Sequence, residues 1–360
     1  MKVTSGRAHF VDLLRLWMSV QMIQGHTIDA LLAVELRSAP WFATWTWVRG
    51  FTAVGFLTAA GFSFYLSTLS SPERFEHYRA TPHVRRRRAR RALLLIAIGY
   101  LLHAPLGVFS GDVERALHEA QIVDVLQCIG VTLLLLEAMV VVCPRVKHVA
   151  WTSLALGAVA IGCAPITAGI DCDAAGSVRF ACNYLSRSGG SLFPLLPWSG
   201  YMFVGVAVGA LAMPRGPSTR GVQTASMLGA VAVLFVLVSF VLESGLAVRG
   251  FDADRIADRG AWPPLALSRL GGVFGMAAVF GVASTRVEAL PRFSRVLASE
   301  TLFLYVSHLL VLYTAGVGLS RVIGPALSTH AAIAVAIAMI FVCSLGALGW
   351  AELKQRRAMM

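Results

Sequence analysis

Arg15 and His26 stand eleven residues apart in a stretch otherwise suited to crossing a membrane, FVDLLRLWMSVQMIQGHTIDALL at Phe10 to Leu32, which also holds Asp12 and Asp29. A membrane-spanning helix needs about 20 apolar residues. An ionisable group at its centre costs at least ~2.5 kcal/mol, so four in one span ask for an explanation. At ~100° per residue, position i+11 returns to within ~20° of position i. Arg15 and His26 therefore share a helix face, with Ser19 and Met22 near it and Asp12 and Asp29 on its flanks. They lie roughly 16 Å apart along the axis. A guanidinium keeps its charge at any physiological pH and suits anionic groups. An imidazole changes charge near neutrality and can move a proton. The same pattern also fits a buried polar seam between packed helices, and this stretch alone leaves both readings open.

The helices that must position these groups follow from composition. Of the 360 residues 57% are hydrophobic and 14% charged, and the mean hydropathy is +0.70. A soluble chain carries about 25% charged residues. The expectation is an all-α, polytopic transmembrane helix bundle of about ten helices, forming a single domain over 1–360. Its spans are expected near 9–31, 43–68, 88–107, 121–143, 147–167, 193–213, 221–243, 264–284, 298–318 and 328–351. The ~10-residue alternating segments of an outer-membrane barrel are absent from the sequence. MKVTSGRAHF lacks a cleavable signal pattern, so the first span is expected to remain in the mature chain.

The loops orient the spans. The N-terminus, alternate loops from 69–87 onward and the C-terminus hold 20 of the 31 Lys and Arg; the opposite set holds 8. The positive-inside rule then places both termini in the cytoplasm. The net charge of +12 is mostly this topology signal and fits lipid headgroups better than nucleic acid. HVRRRRARRALLL at 83–95 is the densest basic cluster. It reads as a topology anchor or as a site for a phosphorylated ligand.

Cys172 and Cys182 fall in the external loop 168–192, where a disulfide is permitted, and they are expected to form one. Cys128, Cys143, Cys163 and Cys343 lie in or beside spans as small hydrophobes. No spacing points to zinc or calcium. No Walker, GxSxG or dinucleotide-binding motif appears in its required context.

This topology gives depths. His26, Asp29, Arg49, His103, Asp124, Gln127, Ser199 and Arg269 are expected in the outer half, lining a wet chamber, with Trp198 at the outer rim as an interfacial belt residue. Arg49 also fits snorkelling to headgroups. Asp124 also fits simple pairing with Arg49, Arg269 or His103. His308, in the ninth span, is expected nearer mid-membrane.

DLLRLWMSVQMIQGH, with Arg15 followed after ten residues by His26, resembles the signature of membrane-embedded acyltransferases. RGFTAVGFLTAAGFSFYL (49–66), RRALLLIAIGYLLHAPLG (90–107), DVLQCIGVTLLLLE (124–137) and FPLLPWSGY (193–201) look like the bacterial relatives of heparan-alpha-glucosaminide N-acetyltransferase. SETLFLYVSHLLVLY (299–313) resembles a late span common to these groups, and the Arg-to-His spacing also resembles the acyltransferase-three family. The resemblance implies about ten helices in a bacterial inner membrane. It implies transfer of an acetyl group from cytoplasmic acetyl-CoA to an extracytoplasmic sugar or glycan, without a metal, centred on a histidine. On that chemistry His26 is the general base or carries an acyl-imidazole. Asp29 or Asp124 sets its tautomer, and His103 is the next candidate. Arg15, Arg88 and Arg91 would hold the CoA phosphates. The expected partners are acetyl-CoA, the acceptor and membrane lipids, with no nucleic acid. A transporter or flippase for a lipid-linked or small polar substrate is the alternative; paired broken helices in repeated halves would mark it, and no such repeat is seen.

Overall fold

The computed structural model describes residues 9–103, 113–213, 221–287, 289–314 and 317–359, the side chains of 114–116, 177, 358 and 359 apart. In chain order the helices are α1 (His9–Leu31), α2 (Pro40–Arg49), α3 (Phe51–Phe64, continued by a π-helical turn, Tyr65–Leu69), α4 (Pro72–Ala80), α5 (Pro82–Leu102) and α6 (Val113–Glu119). Next come α7 (Val125–Val142), α8 (Val146–Gly162), α9 (Ala164–Ala168), α10 (Arg179–Cys182), α11 (Leu195–Ala212) and α12 (Val222–Val248). The last are α13 (Pro263–Thr285), α14 (Arg292–Ser299), α15 (Thr301–Tyr313), α16 (Leu319–Val322) and α17 (Thr329–Met359). Among the described residues there is no strand, only an isolated bridge between Leu32 and Leu327. This is the expected fold class, because in hydrocarbon a helix satisfies its own backbone groups.

Each of the ten expected spans overlaps at least one helix among the described residues. Six helical stretches are long and apolar enough to cross a membrane: Pro40–Leu69, Val125–Val142, Leu195–Ala212, Val222–Val248, Pro263–Thr285 and Thr329–Arg357. α14 and α15 reach that measure only as a pair, bent by 72°. α8 is apolar but has 17 residues. α1 and α5 fall short because of their own polar residues: Asp12, Arg15 and Asp29 in α1, and HVRRRRARR at the start of α5. Residues 104–107 of the third expected span, 315–316 of the ninth, and Lys2, Arg7, Arg215 and Arg220 lie outside the described residues.

Local signals start the helices where the sequence marks them. Pro40, Pro72 and Pro82 each open a helix, where a missing N–H costs nothing. The Ser71 hydroxyl caps α4 by accepting from the Arg74 N–H at 3.2 Å. Asp124 caps α7 in a reciprocal box with Gln127.

The chain forms two compact units, and the divisions fall within α3 and α13. In the unit of 57–279, α11 is the buried element: Tyr201, Met202 and Val206 are fully enclosed. It packs on α8 and meets α3 so closely that a Cβ on Gly61 would strike the Met202 carbonyl oxygen. A Cβ on Gly205 would strike that of Thr58. Helices in lipid associate through such small-residue contacts. Cys172 and Cys182 form the expected disulfide, with Cα atoms 5.5 Å apart. α12 exposes Val233, Leu234, Leu237, Phe240 and Val241, an apolar surface suited to lipid. In the other unit α1 is central and packs against α14, α15 and α17.

Gly205→Leu would place a branched side chain against backbone that cannot yield. It should lower stability by at least ~1–3 kcal/mol. Gly162→Ala, where a Cβ meets nothing within 4 Å, should leave stability unchanged or slightly raised. Thermal melting of the two variants in detergent checks the contrast; equal behaviour would refute the close-packing account.

Candidate active site

α1 carries His26 in its last third, held at both ends of its packing. Along its length Phe10, Leu14, Met18, Ile23 and Leu31 are buried. Beyond its end the chain is pinned to the segment before α17: the Ala33 N–H donates to the Leu327 carbonyl at 3.0 Å, and the Leu327 N–H to that of Leu31 at 2.9 Å. His26 therefore sits on a fixed helix.

Its ring packs on that of His308 from α15, with centroids 5.2 Å apart. His308 is fully buried, and its Nδ1 lies 2.7 Å from the Leu304 carbonyl oxygen. A carbonyl only accepts, so Nδ1 carries the proton of that bond. Tyr305 meets the His308 ring edge-on at 5.8 Å. Tyr313 meets the His26 ring edge-on at 6.4 Å, and its hydroxyl donates to the His26 carbonyl at 3.4 Å.

One turn beyond His26, Asp29 forms an ion pair with Arg49 of α2. Arg49 also lies over the Trp45 ring at 5.4 Å, and the Trp45 indole N–H donates to Gln24 Oε1 at 2.8 Å. Gly25 makes room for this: a Cβ there would come within 3.0 Å of Arg49 Nε. Arg37 donates to the backbone carbonyls of Asp29 and Leu32 at 2.8 and 3.1 Å. The result is two imidazoles in tilted contact beside a carboxylate–guanidinium pair. Such a set can accept and return a proton. Arg15 lies on the same helix, on the face and at the spacing read from sequence; its carbonyl accepts from the Ser19 hydroxyl at 2.9 Å.

The unit of 57–279 holds the other expected residues. His103 Nε2 lies 3.3 Å from Asp124 Oδ2, so His103 is a partner of Asp124, one of the three the sequence left open. The Asp124 carboxylate also accepts from the Val125 N–H at 2.6 Å. The basic run of α5 divides. Arg88 turns to the packed side: it donates to the Thr68 hydroxyl in the π-helical turn. Its guanidinium stacks 4.5 Å over the Tyr78 ring. Tyr78 donates to Glu137 of α7. Burial, and then the Glu137 carboxylate, push the Tyr78 hydroxyl far above its ordinary pKa, so it stays a donor. Arg91 instead lines an outward cleft with His83, Arg86, Arg87, Arg90 and Leu94. No group of three or more His, Cys, Asp or Glu that would hold a metal occurs among the described residues.

Sequence reasoning thus found His26, Asp29 and Arg15 in one unit, and His103 and Asp124 as a pair in the other. It did not find His308 as the neighbour of His26, nor Arg49 as the partner chosen by Asp29. The two histidines are 282 positions apart, and no local spacing reports such a contact.

The chain matches no curated protein and no solved structure. Residues 7–243 match the family described as heparan-alpha-glucosaminide N-acetyltransferase, catalytic. That segment covers most of the chain, including Arg15, His26, Asp29, Arg49, His103 and Asp124, and ends before His308. With several helices apolar enough to cross a membrane, the chain belongs to the membrane acetyltransferase family defined by the catalytic domain of heparan-alpha-glucosaminide N-acetyltransferase.

Proposed function

We propose that this protein moves an acetyl group from cytoplasmic acetyl-CoA to a hydroxyl or amine of an extracytoplasmic sugar or glycan, with His26 as its catalytic residue. The observation that carries the reading is the packing of His26 on His308 beside the Asp29–Arg49 pair, inside a member of an acetyltransferase family. The family match counts against the transporter alternative.

In the proposed reaction the neutral imidazole of His26 takes the proton as the acceptor oxygen or nitrogen attacks the thioester carbonyl carbon. The tetrahedral intermediate collapses, the carbon–sulfur bond breaks, and the imidazolium returns the proton to the departing thiolate. His308, Asp29 and Arg49 hold the ring and its surroundings in place. Arg15 binds the phosphates of the donor. CoA carries its phosphates and its thioester at opposite ends of a long pantetheine arm. A phosphate-binding cation roughly 16 Å along the helix from the base matches that separation.

The host membrane under this proposal is the bacterial inner membrane, crossed ten times by a single catalytic domain with both termini in the cytoplasm. The 20-to-8 division of basic residues supports the orientation.

His26→Ala should lower turnover by about 10²–10⁴-fold while acetyl-CoA still binds. Arg15→Ala should weaken acetyl-CoA binding by ~2–4 kcal/mol. His308→Phe keeps a ring against His26 and should reduce turnover without changing donor affinity. Acetyl-CoA binding and acetyl transfer measured on the purified variants test this. A well-folded His26→Ala protein with near-normal turnover would remove His26 from the chemistry.

The orientation has its own test. Ala257 and Ala80 are both exposed and lie in loops assigned to opposite sides. A membrane-impermeant maleimide applied to intact inner-membrane spheroplasts should label Ala257→Cys and spare Ala80→Cys. The reverse pattern would invert every depth given above.

A further inference from the structure

We propose that the outward face of α5 is a binding site for the headgroups of anionic phospholipids. The helical period splits HVRRRRARR into two faces. Arg88 and the buried Ala92 and Gly99 face the packed side, and Arg88 is committed to Thr68 and the Tyr78 ring. His83, Arg86, Arg87, Arg90 and Arg91 have the i, i+3, i+4, i+7, i+8 spacing and lie on the other face. With Leu94 they line a cleft of about 440 Å³. No acidic side chain lines it, and among the described residues Arg86, Arg87, Arg90 and Arg91 enter no ion pair.

Four guanidiniums at such close spacing repel one another unless anions lie between them. The next turns of the helix identify the anion. Leu93 and Leu94 are each 54% exposed and Leu101 is 72% exposed, so the same helix passes from exposed cations to exposed leucines within one or two turns. That boundary is where a phospholipid keeps its phosphate, with its acyl chains alongside the leucines. From His83 to Leu94 the strip is roughly 16 Å long, room for more than one headgroup. A soluble phosphate compound would use the cations and leave the leucines without a role. The site uses none of the residues assigned to the proposed reaction above and does not depend on that reaction.

The full chain, purified in detergent, should be titrated with phosphatidylglycerol, and with phosphatidylcholine as the neutral reference, with bound lipids counted by native mass spectrometry. The unaltered protein should retain phosphatidylglycerol in preference to phosphatidylcholine. Arg86→Gln/Arg87→Gln/Arg90→Gln should weaken phosphatidylglycerol binding by about 100-fold, roughly fivefold for each charge removed, and leave acetyl-CoA affinity unchanged. The corresponding triple Lys variant makes the same steric change with charge kept, and should bind phosphatidylglycerol nearly as the parent does. Undiminished binding in the Gln variant, equal loss in both variants, or displacement of the lipid by acetyl-CoA would each overturn the proposal; the last would make the cleft a donor site.

Discussion

Hydrocarbon offers no partner to an ionised side chain, and an isolated one at mid-membrane costs ~2.5–3.5 kcal/mol even on insertion scales. The charges of this protein are arranged accordingly. Asp29 pairs with Arg49, Asp124 with His103, and Glu137 accepts from Tyr78, whose ring in turn lies under Arg88. Each contact joins one helix or helix end to another. A buried pair is strongly destabilised when one member is removed, because the other is left uncompensated. These polar groups therefore help fix which helices are neighbours.

The second constraint is that lipid tails are as apolar as leucine, so exclusion from water does not press these helices together. Close approach does. Gly61 and Gly205 admit the backbone of each other's helix, and the Gly25 position admits the Arg49 side chain against α1. The first use is mechanical and the second electrostatic. In both cases the absent side chain is what permits the contact. Where a helix needs neither, as along most of α12, its surface is apolar and exposed.

Local features were legible in the sequence, and contacts between distant helices were not. Helix positions and the Arg15–His26 face depend on spacings of one to eleven residues, and both could be read; the Asp124 cap, although equally local, was not read. The Cys172–Cys182 bridge was legible from compartment and proximity. The His26–His308 ring contact was hidden, because it depends on how α15 docks on α1. Apolarity gave no help there: a helix facing lipid on one side and protein on the other is hydrophobic on both, so the periodicity that marks a buried face in water is nearly silent. Asp29 shows the intermediate case. Its presence near His26 was evident, but its partner was decided by Arg49, which snorkelling would otherwise have explained.

A rigid helix converts sequence spacing into distance. α1 is packed along its length and pinned beyond its end by the Leu327 bonds, so Arg15 and His26 are held at a set separation. On the proposed reading the donor's flexible arm supplies whatever adjustment the reaction needs, and a loose protein framework would add only entropy to the barrier. Acceptor choice would then fall to less regular parts of the chain. Those parts are constrained too: the loop closed by Cys172 and Cys182 is continued by Arg187, which pairs with Asp258 in the loop of 244–263 at 3.3 Å. Two loops far apart in sequence are thereby tied to one another. On the proposed reading an acceptor would meet these two loops tied to one another rather than as independent segments.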